Sequence, residues 1–126
     1  MKVLDNLHYT KTHEWVEFTE DNQAKIGLTD FAQSKMGSLV FANLPMEGDD
    51  LTVGEALGDV ESVKAVSDVI SPISGVVTAV NEELLDTPET INEDPYGAWL
   101  VMVSDITEKE ELLDAKEYVE YCSKEE

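Results

Sequence analysis

Short apolar runs broken by glycine or proline recur through the first hundred residues. Glu14 to Phe18, Ala24 to Leu28, Ser38 to Leu44, Leu51 to Val53, Glu55 to Glu61, Val66 to Ser71, Val76 to Val80 and Trp99 to Val103 each have strand length. Pro45, Gly54, Gly58, Pro72, Gly75, Pro95 and Gly97 fall between or inside them. Many short strands with turn residues between them predict a small barrel or sandwich. Two helices are predicted outside it. Thr29 is suited to cap Asp30 to Met36, with Asp30 in the first turn and Gly37 as the stop. Thr107 with Glu110 three residues on has the spacing of a capping box, which predicts a C-terminal helix over about 108–122. Leu112, Leu113, Ala115, Val119 and Cys122 would form its inner face. A helical turn is expected at Glu82 to Leu85. No linker interrupts the chain, so residues 1–126 are expected to form one domain.

Charge limits the partners. The formal net charge is −20, from 28 acidic and 8 basic residues, none of them arginine. That disfavours nucleic acid and anionic membrane surfaces and favours association with basic protein surfaces. The expectation is a monomer that binds neither nucleic acid nor membrane. With a single cysteine, Cys122, no internal disulfide can form, which suits a reducing compartment. No apolar run reaches the roughly 18 residues of a membrane-spanning helix. The opening residues resemble neither a secretion signal nor a transit peptide. The expected location is the cytoplasm, or the mitochondrial matrix for a mature organellar form.

One residue departs from the charge pattern. Between Met36 and Glu108 there are fifteen carboxylates and a single basic residue, Lys64. It sits in GDVESVKAVSDVI (Gly58 to Ile70), which reads as a β-hairpin with Lys64 at the tip. An amine nucleophile needs desolvation or a neighbouring cation to lower its pKa. Asp59, Glu61 and Asp68 would instead favour the ammonium form, so direct catalysis by Lys64 is disfavoured. Spacing alone leaves two readings, a solvated hairpin lysine or a site of covalent modification.

Other chemistry finds little support. His8 and His13 lie five apart in the opening segment and define no metal site. No serine–histidine–aspartate set and no phosphate-binding glycine loop is present. Trp15, Tyr96 and Trp99 read as core or cleft wall, and Cys122 as a small packed side chain.

ESVKAVSD around Lys64 resembles the lipoyl-attachment motif of the glycine cleavage system H proteins. The resemblance extends to YTKTHEW (Tyr9 to Trp15), GLTDFAQSKMG (Gly27 to Gly37), SPISGVVTAVNEEL (Ser71 to Leu84) and PYGAWLVMV (Pro95 to Val103). The tip Val63-Lys64-Ala65 differs from the Asp-Lys-Ala of 2-oxo acid dehydrogenase lipoyl domains and from the Met-Lys-Met of biotin carriers. The resemblance implies a flattened barrel-sandwich hybrid, mainly β, with Lys64 exposed and lipoic acid in amide linkage to its nitrogen. It implies a carrier with no catalytic or metal site of its own. The implied partners are a pyridoxal-phosphate glycine decarboxylase (P protein), an aminomethyltransferase (T protein), dihydrolipoamide dehydrogenase (L protein) and lipoate-attaching enzymes. Within the family a glutamate of the His-Glu-Trp stretch lies near the loaded arm; here it is Glu14. Asp68 and Thr12 are further arm-docking candidates. An alternative role is a lipoate relay that donates lipoyl groups to other complexes.

Overall fold

The computed structural model describes residues 1–125. Among the described residues, nine strands form two antiparallel sheets that do not close into a barrel, with four short helices around them. β1 (His8–Tyr9), β2 (Glu14–Thr19), β3 (Gln23–Leu28), β9 (Val101–Lys109), β8 (Ile73–Val80) and β5 (Asp50–Leu51) lie side by side in that order. The second sheet has the order β4 (Leu39–Asn43), β6 (Ala56–Ser62), β7 (Val66–Ile70). Side chains alternate across a pleated strand, so each sheet can bury one face. Leu39, Ala42, Leu57, Val60 and Val69 of the small sheet meet Val16, Ile26, Ile73, Val77, Val101 and Val103 of the large one in a single core. The sandwich and its hairpins match the sequence expectation.

The first predicted helix is present as α1 (Asp30–Met36). The Thr29 hydroxyl accepts from the Ala32 N–H, and Gly37 ends the helix at φ 79° with its N–H on the Gln33 carbonyl. The helical turn expected at 82–85 is α2 (Glu83–Asp86), followed by α3 (Thr90–Glu93).

The C-terminal helix lies further along the chain than expected. α4 runs Ala115–Glu125, not from 108. Thr107 belongs to β9, where Ser74 pairs with Glu108 and Ile73 with Lys109. Pairing of this end of β9 with β8 outweighs a local capping pattern. The capping box is instead Asp114 with Glu117: the Glu117 N–H donates to Asp114 Oδ1 at 2.8 Å, and the Asp114 N–H to Glu117 Oε1 at 3.0 Å. The buried face is Ala115, Tyr118 and Cys122; Val119, expected inside, is exposed. Leu113 pairs with Tyr9 as a β-bridge rather than joining the helix. The expected strand at 99–103 also shifts, beginning at Val101.

β4 and β6 approach closely at Gly58. A Cβ there would lie 2.2 Å from the Asn43 carbonyl oxygen, a backbone atom that cannot rotate away. Gly58→Ala is expected to lower stability by about 1–3 kcal/mol, read from urea unfolding, through the forced separation of these strands.

Candidate functional site

The Lys64 hairpin is built as the alternating pattern predicts. β6 pairs with β7 from Ala56↔Ile70 to Glu61↔Val66, leaving Val63, Lys64 and Ala65 in the turn. Ser62 holds that turn. Its hydroxyl accepts from the Lys64 N–H at 3.3 Å and the Ala65 N–H at 3.1 Å, while its own N–H donates to the Ala65 carbonyl at 2.8 Å. Ser62 is 5% exposed, so the turn is anchored in the body while Lys64 stands in solvent. Among the described residues no carboxylate lies within ion-pair distance of its ammonium. The side chain leans across the end of α1: a Cβ on Gly37 would lie 3.4 Å from Lys64 Cε and 3.7 Å from Nζ. Glycine is favoured there by its positive φ, while a Cβ would make only ordinary contact with the lysine.

The same end of α1 walls a cleft of about 180 Å³. Its floor is apolar, from Leu28, Phe31, Met36 and Val60. Its polar lining is Thr12, His13, Glu14, Lys35, Ser67 and Asp68. All three residues singled out beside Lys64 therefore share one cleft. Asp68 and Thr12 are exposed, whereas Glu14 is 1% exposed.

Burial of Glu14 follows from the turn before it. His13 has φ 73°, its N–H donates to the Thr10 carbonyl, and the Thr10 N–H donates to the Glu14 carbonyl. This left-handed residue starts β2 with three consecutive buried residues, Glu14, Trp15 and Val16. The Thr10 hydroxyl donates to Glu14 Oε1 at 2.7 Å and accepts from the Glu14 N–H at 3.0 Å. The Thr12 hydroxyl donates to the same Oε1 at 2.5 Å. Oε2 receives one longer bond, 3.3 Å from the Ile70 N–H. Desolvation pushes the Glu14 carboxyl up to about 7, against the lowering effect of Thr12, Thr10 and Ile70; the Glu110 charge adds a smaller upward push. Glu110 carries the one buried side-chain oxygen without a hydrogen-bond partner among the described residues. Near neutral pH the Glu14 carboxyl is thus balanced between its neutral and ionised forms. A cation entering the cleft would favour the carboxylate.

Residues beyond the sequence candidates hold this arrangement. Thr10, fully buried, fixes the Glu14 carboxyl. Tyr118 Oη bonds His13 Nδ1 and Thr29 Oγ1, each at 2.7 Å, tying α4 to the turn and to the α1 cap. His13 Nε2 meets Glu125 Oε2 at 2.8 Å, so the imidazole serves as a strut. Tyr118 was legible: with Ala115 and Cys122 it completes an i, i+3, i+7 spacing. Thr10 carried no signal of its own, because its role depends on the left-handed turn. Trp15 is core, with Nε1 donating to the Pro95 carbonyl at 3.0 Å; Tyr96 and Trp99 pack against the same cluster.

The residues present suit a lipoyl group. The amine is exposed and the turn that carries it is rigidly anchored. A largely apolar cleft opens near it, with Glu14, Asp68 and Lys35 among its polar lining. Comparison with known proteins shows the family. The sequence model described as "Glycine cleavage H-protein" matches residues 7–125. The glycine cleavage system H protein of Lachnoclostridium phytofermentans is 61% identical over 125 residues, spanning 99% of this chain and 98% of that relative. The probable glycine cleavage system H protein of Pyrococcus horikoshii is 50% identical over 123 residues, spanning 95% and 92%. The crystal structure of a glycine cleavage system H protein from Mycobacterium marinum superposes with a TM-score of 0.89 at 40% identity, covering 98% of both chains. A sequence model matched along residues 7–125, relatives 50–61% identical over almost the whole chain and a shared fold place this chain in the glycine cleavage H-protein family.

Proposed function

We propose that the protein is a lipoyl carrier, one domain in residues 1–126, with lipoic acid in amide linkage to Lys64. The observation that carries this reading is the position of Lys64: an exposed amine on an anchored turn, its side chain against Gly37, next to Met36 in the lining of the cleft that contains Glu14. When bound, the lipoyl group would accept the aminomethyl group of glycine from the P protein, yield the one-carbon unit to the T protein, and be reoxidised by the L protein.

The chain's own residues supply attachment, reach and shelter. The turn fixes the tether point, and a tether raises the effective concentration of whatever it carries. The apolar floor excludes water from a group lying in the cleft. Glu14 Oε2, with one long hydrogen bond, accepts from a protonated amine there. Thr10 and Thr12 hold the other oxygen so that Oε2 faces the cleft. Asp68 at the rim adds a second negative charge. In this reading the catalysis belongs to the partner enzymes.

Attachment is tested by intact mass after incubation with a lipoate ligase, ATP and lipoate. The expected result is a single lipoyl increment on the peptide containing Lys64. An unmodified chain, or an increment on another lysine, would refute the assignment. The charge of −20 and the absence, among the described residues, of any helix long and apolar enough to cross a membrane fit a partner set of proteins.

A further inference from the structure

A second cleft, of about 400 Å³, lies at the far end of β4 from the lysine. Leu39 at the start of β4 pairs with Ser62 beside the Lys64 turn, and Asn43 at its end pairs with Asp59. Five strand residues separate the two sites, roughly 17 Å at about 3.3 Å per residue. Leu44, Pro45, Met46, Val80 and Leu85 form the apolar lining. Met46 is 73% exposed and Leu85 52%, so large apolar side chains face water. Glu47 and Glu82 lie on the same lining, and Asp50, Glu83 and Asp86 are exposed in the two flanking segments. The Asp49 carboxylate accepts from the Met46 N–H at 2.9 Å and fixes the turn that presents Met46. No basic residue occurs between Lys64 and Lys109.

We propose that this groove docks a protein element presenting one or two apolar side chains flanked by lysine or arginine, on an enzyme that serves the arm. The proposal rests on the carrier reading. Exposed methionine and leucine supply adaptable apolar area, and the acidic rim selects a basic partner. A second copy of this chain is a poor occupant, because two surfaces of a molecule with charge −20 repel. Placement one strand length from Lys64 has a functional consequence. An enzyme held here leaves the hairpin uncovered, so its active site can receive the arm without gripping the turn.

The test uses the lipoylated protein and two double variants, Met46→Ser/Leu85→Ser and Glu47→Lys/Glu82→Lys, with each of the three enzymes. All four side chains border solvent, and thermal unfolding with intact mass checks that both variants fold and carry the arm. The expected result is a KM for the carrier raised about tenfold with at least one enzyme, kcat within about twofold of wild type, and a charge-variant defect that fades as salt rises. An unchanged KM in both variants with all three enzymes would overturn the groove proposal while leaving the carrier reading intact. Self-association of the wild type that the variants abolish, with KM unchanged, would assign the groove to a second copy and overturn it too. Failure of the lipoylated wild type to turn over with any enzyme would overturn the carrier reading and this proposal with it.

Discussion

Lys64→Arg is expected to fold as the wild type does and to lose lipoylation and carrier turnover completely. The side chain is exposed and makes no ion pair among the described residues, so stability should change by no more than about 0.5 kcal/mol. The guanidinium keeps the charge but, always protonated, offers no amine for acylation. Intact mass, thermal unfolding and carrier turnover measure the three parts of this expectation. A lipoyl group retained in the variant would mean that another of the eight lysines carries it.

Glu14→Ala is expected to separate attachment from shelter. Lipoylation should be normal, because Glu14 lies on β2 and the acylated turn is held by Ser62. The aminomethylated protein should lose its cargo to water about tenfold faster, as expected when one hydrogen bond to a charged group is removed. An unchanged lifetime of the loaded protein would contradict the pairing of Glu14 with the amine.

Glu14 also predicts a pH dependence. Its folded carboxyl titrates at about 7, above the ordinary 4.5, so the folded state holds a proton that the unfolded state releases between those values. The resulting stabilisation is complete below about 4.5 and is lost as pH rises through about 7, with a total near 3 kcal/mol. Urea unfolding of the form without cargo should show stability falling across this window. Glu14→Gln, which cannot ionise, should flatten that fall. A wild-type profile as flat as the variant's would place the Glu14 carboxyl near its ordinary value.

Parts of this arrangement were legible from sequence and parts were not, for physical reasons. The hairpins, α1 with its Thr29 cap and Gly37 stop, and the exposed Lys64 turn are local, and local residues specify them. β9 is not local. Its far end pairs with β8, more than thirty residues earlier in sequence, so Thr107 and Glu110 suggested a helix that this pairing excludes. The box at Asp114 and Glu117 has the same spacing and is the one used, since no strand competes for it. Glu14 shows the same limit at the site. Alternation along β2 marks it as a polar residue at a strand start. The left-handed turn at His13 buries it, and desolvation raises its pKa against the lowering hydrogen bonds from Thr10, Thr12 and Ile70. Its place in the chain was readable, whereas its raised pKa arises only from burial in the folded chain.

The central claim is that Lys64 holds a carrier arm for glycine cleavage. The direct measurement is carbon dioxide release from carboxyl-labelled glycine by the glycine decarboxylase with pyridoxal phosphate, with this protein added in its lipoylated and unlipoylated forms. Release that depends on the lipoylated form and rises with its concentration is the predicted result. Release no greater than with the unlipoylated form, from a chain whose Lys64 is shown by mass to be lipoylated, would contradict it.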